Sequence, residues 1–142
     1  MSQIPVKFGT DGWRGVIGED FTLENARIVG HAIARYVVRA EDPRRGVLIG
    51  YDHRHESDTV AELMAEIISS TGTPVWLADK PCPTPTISLL VRQRNAAGGI
   101  VVTASHNPHS WNGIKYKASY GSSALPSIVA QIEQELAEAR ER

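Results

Sequence analysis

The sequence has 142 residues, 42% hydrophobic and 22% charged, and its 15 Lys and Arg against 16 Asp and Glu give a formal net charge of −1. That size and composition suit one globular domain whose core needs no metal or disulfide staple, and they exclude disorder as the main state. The balanced charge, without a long Lys/Arg block, argues against nucleic-acid binding.

In chain order, residues 4–8 read as a strand and residues 9–18 as a glycine-punctuated loop. Leu23, Ala26, Val29, Ile33, Tyr36, Val37 and Ala40 recur at spacings of three and four, which predicts a helix with one apolar face. Thr22 is placed to cap its first turn, and Pro43 and Gly46 end it. Residues 47–49 form an unbroken apolar run, the pattern of a strand covered on both faces, and it ends in Gly50-Tyr51-Asp52. A second helix carries Val60, Leu63, Met64, Ile67 and Thr71 on one side, stops at Gly72 and hands over through Pro74 to a strand at residues 75–77.

A third helix is predicted from about Thr86 to Arg94, leading into a buried strand over residues 99–103. Residues 104–110 are polar, and Trp111, Gly113, Ile114 and Tyr116 outline one more strand, with Asn112-Gly113 as a candidate turn. The closing helix starts near Pro126; Leu125, Ile128, Ile132, Leu136 and Ala139 give its apolar stripe, and Glu133, Glu135, Glu138, Arg140, Glu141 and Arg142 its solvated face.

Strands alternating with helices predict an α/β fold, a three-layer α/β/α sandwich around a mostly parallel mixed sheet of about four to five strands. Residues 1–142 read as a single domain, without repeat or linker. Sites in such folds lie at the carboxyl ends of the strands, here the loops after Phe8, Ile49, Leu77 and Val102. Cys82 is the single cysteine, which fits a reducing compartment, and neither a leader-like apolar segment nor a run near the roughly 20 residues of a bilayer span is present. A cytoplasmic protein without membrane contact is expected.

Dinucleotide, P-loop, nucleophile-elbow and zincin motifs are all missing from the sequence. His53 and His55 lack a third ligand nearby and read as a solvated loop; His31 falls within a helix. Three other segments carry chemistry. Thr103-Ala104-Ser105-His106-Asn107-Pro108 sets a hydroxyl nucleophile, an imidazole and an amide after a buried strand, where backbone N–H groups can hold anionic oxygens; a plain surface turn uses the same residue types. Phe8-Gly9-Thr10-Asp11-Gly12-Trp13-Arg14-Gly15 surrounds one arginine with glycines, so a planar fork and a closely approaching backbone can meet a phosphate, or else it is a flexible connector. Asn112-Gly113-Ile114-Lys115-Tyr116-Lys117 puts two lysines on one face of a strand.

Together these segments resemble the α-D-phosphohexomutase family, the phosphoglucomutases and phosphomannomutases. Thr-Ala-Ser-His-Asn-Pro matches that family's phosphoserine loop over all six residues, supported by residues 8–15, by Pro83-Thr84-Pro85 and by Asn-Gly-Ile-Lys. The segment Asp52-His53-Arg54-His55-Glu56-Ser57 departs from the family's Asp-x-Arg-x-Ser-Ser in having Glu56 for the first Ser, which puts local loop contacts in question. The resemblance covers the first of four family domains; the aspartate-rich metal loop, the sugar-reading loop and the terminal phosphate-binding loop belong to later ones.

The resemblance implies reversible phosphoryl transfer between the 1- and 6-positions of a hexose phosphate. Ser105 would be phosphoryl donor and acceptor and, through its phosphate, a ligand of Mg²⁺, whose other ligands would come from a later domain. Lys115 would do acid/base work on the sugar hydroxyl, Arg14 would hold the phosphoserine region, His106 would support the loop, and Thr103, Asn107 and Arg14 would bind phosphate. A hexose 1,6-bisphosphate would be intermediate and activator, and the partners would be the hexose phosphate and the remaining domains of the same enzyme. The isolated domain is expected to be inactive, with an exposed face prone to self-association. The competing expectations are a free-standing domain that binds sugar phosphates or a partner chain without catalysis, and a serine-dependent phosphatase.

Overall fold

The computed structural model describes residues 8–9, 12–104 and 107–140. Its elements run β1 (Trp13–Val16), α1 (Leu23–Ala40), a single 3₁₀ turn (Pro43–Arg45), β2 (Val47–Tyr51), α2 (Ser57–Ser69), β3 (Val75–Leu77), α3 (Thr84–Gln93), β4 (Gly98–Val102), β5 (Trp111–Ala118) and α4 (Pro126–Arg140). The strands form one sheet in the order β1-β5-β4-β2-β3. β2 is parallel to β3 and β4, whereas β5 is antiparallel to both β4 and β1, so β5 alone runs against the others. This is the mostly parallel mixed sheet the alternation predicts.

The connections explain the layers. The chain passes from β2 outward to β3 and then back across β2 to β4, reversing direction within the sheet. Two right-handed crossovers of opposite direction put their helices on opposite faces. α2 accordingly joins α1 and α4 over one face, where Val29, Ile33, Val37, Met64, Ile68, Ile132 and Leu136 pack with Ile49, Ile100 and Ile114. α3 covers the other, where Ile87 and Val91 pack with Leu48 and Val101. Thr22 caps α1 as its position predicts, its hydroxyl accepting from the Asn25 N–H at 3.1 Å.

Three details depart from the sequence reading. Residues 13–16, read as loop, are the edge strand β1, with Trp13 and Gly15 buried and Arg14 and Val16 half-buried; Gly15 hid the alternation. Residues 4–7, read as a strand, lie outside the described residues. Asn112-Gly113 is no turn but the buried start of β5. Gly113 is required by close approach, since a β-carbon there would stand 2.5 Å from the Trp13 carbonyl oxygen.

The third departure concerns α4. Leu125, placed in its apolar stripe, is 57% exposed, whereas Glu135, placed on its solvated face, is 4% exposed. Glu135 accepts from the Arg35 Nε at 2.9 Å and from the Arg39 Nε at 2.7 Å, so it joins α4 to α1 by a two-armed ion pair. Glu133 likewise accepts from the Phe8 N–H at 2.8 Å. An acidic residue in a helix reads as solvated until its cationic partners, about a hundred positions away in sequence, are placed opposite it.

Burial alone raises the Glu135 carboxyl, but hydrogen bonds and charges from Arg35 and Arg39 outweigh it and hold the group below its ordinary value of 4.5. A depressed folded value stabilises the fold above about 4.5, and that contribution disappears as pH falls through the lower folded value. Glu135→Gln is therefore expected to cost about 1–2 kcal/mol at pH 7, toward the low side for a broken buried pair because both arginines are partly solvated. Thermal melts should show the difference from the parent chain shrinking below pH 4.5; a constant difference down to pH 3 would contradict it.

Candidate functional site

The site is built on two neighbouring strand ends. β2 and β4 are parallel and in register to their last pair, Tyr51 opposite Val102, so the chain leaves both at the same edge of the sheet. The Asp52 N–H extends the ladder by donating to the Val102 carbonyl at 3.2 Å. The Thr103 hydroxyl then donates to Asp52 Oδ2 at 2.6 Å, and the Thr103 N–H donates to the Gly113 carbonyl at 2.8 Å. The first leg of the segment containing Ser105 is thereby tied to β2 on one side and β5 on the other.

Asp52 is the hub of a larger set of hydrogen bonds. Its Oδ1 accepts from the Ser57 hydroxyl at 2.8 Å and from the Arg54 N–H at 3.0 Å. Ser57 opens α2, is fully buried, and accepts from the Asn112 amide at 2.9 Å. That amide also donates to the His55 carbonyl, while Asn112 Oδ1 accepts from the Gly113 N–H. A buried asparagine with all these bonds satisfied fixes the start of β5 against the end of β2.

Arg54 holds the second leg. Its Nη1 donates to the Pro108 carbonyl at 2.7 Å and the Trp111 carbonyl at 3.0 Å, its Nη2 donates to the Asn107 carbonyl at 2.7 Å, and its Nε lies 3.3 Å from Asp52 Oδ2. Sequence reasoning assigned no role to Asp52, Arg54, Ser57 or Asn112. The signal was an acid, an arginine and a serine in the turn after a buried strand. Glu56, the departure from the family pattern, has φ 68° and precedes α2 without a side-chain capping bond, so the segment's contacts rest on Asp52, Arg54 and Ser57.

Arg14 lies at the middle of β1 opposite Gly113, and its Nη1 donates to Asn107 Oδ1 at 2.6 Å. Asn107 therefore stands between two arginines, its side chain on Arg14 and its carbonyl on Arg54. Lys115 pairs with Val101 and Lys117 with Gly99 on β5. Cross-strand partners share a face, so Arg14, Lys115 and Lys117 all lie on the α3 side of the sheet. Lys117 continues into a groove with Ser88 and Arg92 of α3.

Of the residues singled out in the sequence, the fold brings Thr103, Asn107 and Arg14 together, with Lys115 on the same sheet face as Arg14. Ser105 and His106 lie outside the described residues. His31, His53 and His55 are exposed, as expected for solvated positions. Among the described residues, no group of three or more His, Cys, Asp or Glu could hold a metal ion, and no helix is long and apolar enough to cross a membrane.

The structure is thus an α/β/α domain in which two adjacent parallel strands end side by side and the turns that follow them are tied together by Asp52 and Arg54. The family described as "Phosphoglucomutase/phosphomannomutase, alpha/beta/alpha domain I" matches residues 5–142. The chain belongs to that family. It is 40% identical over 126 residues to the phosphoglucosamine mutase of Picosynechococcus sp., covering 89% of this chain and 26% of that protein. It is 41% identical over 128 residues to the phosphoglucosamine mutase of Anaeromyxobacter sp., covering 89% and 27%. The structure of a putative phosphomannomutase from Thermus thermophilus superposes with a TM-score of 0.87 at 34% identity, over 95% of this chain and 30% of that one. The chain thus spans between a quarter and a third of the length of these relatives.

The close approach at Gly113 gives a direct test of how β1 positions Arg14. Gly113→Ala should cost about 1–3 kcal/mol, because the added methyl meets the Trp13 carbonyl and the stem of Arg14. Gly9→Ala, where a β-carbon meets nothing within 4 Å among the described residues, is the control and should melt within a degree or two of the parent. Equal melting temperatures for the two variants would show that the β1–β5 approach is not constrained there.

Proposed function

We propose that this chain supplies the phosphoserine of a hexose-phosphate mutase and works as one domain of a longer protein. The phosphoryl group on Ser105 Oγ passes to a free hydroxyl of a hexose phosphate: the serine P–O bond breaks, a new P–O bond forms to the sugar, and the hydroxyl proton passes through Lys115 to Ser105 Oγ, which leaves as a neutral hydroxyl. The hexose 1,6-bisphosphate so formed reorients, and its other phosphoryl group returns to Ser105 Oγ, whose proton passes through Lys115 to the sugar oxygen released. Arg14 offsets anionic charge beside the segment, and His106 and Asn107 support it. Such transfers depend on positioning and charge stabilisation more than on covalent chemistry by the protein.

The observation that carries this reading is the hydrogen bond that Thr103 donates to Asp52 together with those that Asn107 accepts from Arg14 and Arg54, which bracket Ser105 in the chain. The six-residue match to the family's phosphoserine loop and the relatives' names support it. The described residues do not themselves form a metal site, and no step above runs through one; the Mg²⁺ that the resemblance implies would take the Ser105 phosphate as one ligand and its remaining ligands from elsewhere in the longer protein.

In a coupled assay with a hexose 1-phosphate, the full-length protein is expected to turn over and the 142-residue chain alone is not. Ser105→Ala should lower turnover of the full-length protein by roughly 10³-fold or more, the scale of removing a covalent nucleophile. Turnover by the short chain at the full-length rate, or a Ser105→Ala protein within tenfold of the parent, would overturn the proposal.

A further inference from the structure

We infer that Arg54, held by Asp52, is a positioning residue for phosphoryl transfer: it closes the second leg of the Ser105 segment through its backbone carbonyls while Asp52 holds the first. This rests on the reading of Ser105 as phosphoryl carrier. One guanidinium collects the carbonyls of Asn107, Pro108 and Trp111 and reaches Asp52 with its Nε. The same Asp52 oxygen accepts from the Thr103 hydroxyl. A single acid and a single arginine, two positions apart, therefore staple both sides of the two residues that separate Ala104 from Asn107.

The chemistry of the side chain accounts for the choice of arginine. Three carbonyls and a carboxylate around one side chain match the several N–H donors of a guanidinium fork, whereas a lysine ammonium offers a point charge on a flexible stem and cannot span them. The Arg54 side chain is 14% exposed, and its N–H groups face the protein's own oxygens, so its role is exerted through the loop and not by contact with the sugar. Phosphoryl transfer requires donor and acceptor oxygens in line, and a displacement near 1 Å costs roughly 10²-fold in rate. Loosening this staple should therefore lower the rate of transfer without weakening sugar binding.

The experiment measures kcat and KM for a hexose 1-phosphate in the full-length protein and in its Arg54→Lys, Arg54→Ala, Thr103→Val and Ser105→Ala variants, with thermal melts alongside. Arg54→Lys should lower kcat by roughly 10- to 100-fold with KM within about threefold of the parent. Thr103→Val, which cuts only the tie to the first leg, should lower kcat by a smaller factor with the same unchanged KM. Added guanidinium ion should restore part of the Arg54→Ala rate and none of the Ser105→Ala rate, a readout that a general loss of stability would not give. Parent-like kcat in Arg54→Lys would overturn the inference, because charge alone would then suffice. Should Arg54→Lys melt below the assay temperature, parent-like kcat in Thr103→Val together with no rescue of Arg54→Ala would overturn it equally. A Ser105→Ala protein that still turns over would instead defeat the underlying phosphoserine reading.

Discussion

Everything at the candidate site depends on β2 and β4 lying side by side, parallel and in register to their last residues. Parallel neighbours discharge their chains at the same edge, so the turn after β2 meets the segment after β4 without any long excursion. That adjacency is what lets Asp52 accept a hydrogen bond from Thr103 and Arg54 reach the carbonyls beyond Ser105. Had the chain placed another strand between them, the same residues would stand too far apart for a direct bond.

The two faces of the sheet are finished differently. Three helices cover one face, and α3 alone lies over the half of the other formed by β2 and β4. Across β5 and β1, the α3 side carries Lys117, Lys115 and Arg14 alongside the half-buried Trp111 and Val16. Cationic side chains with long aliphatic stems can cover a sheet surface while leaving their charges at the rim. That half of the face is thus mixed, cationic side chains standing beside apolar ones.

Much of this was legible in residue order, and the remainder was hidden for identifiable reasons. Helix periodicity, the Thr22 cap and the apolar runs at Val47 and Ile100 are local signals, and they place α1, β2 and β4 correctly. β1 was missed because Gly15 occupies a position where alternation would otherwise show, and Gly113 was misread because glycine marks a turn and a close strand contact equally well. Glu135 looked solvated because its partners lie in α1. Within the site, Arg14 and Asn107 were identified from their motifs, whereas the local segment holding Asp52, Arg54 and Ser57 did not show what those residues bind, because their bonds to Thr103, to residues 107–111 and to Asn112 span more than fifty positions.

The reversed direction of β5 has a consequence for how the protein assembles. Because β5 is antiparallel to β4, residues 103–110 connect two hairpin strands, and their ladder can close between near neighbours in the chain at small entropic cost. The bonds from Asp52 and Arg54 span 51 to 57 positions and require β2 and the start of α2 to have arrived. Thr103 and residues 107–111 are thus held by contacts of two different spans, a local hairpin ladder and the distant bonds of Asp52 and Arg54.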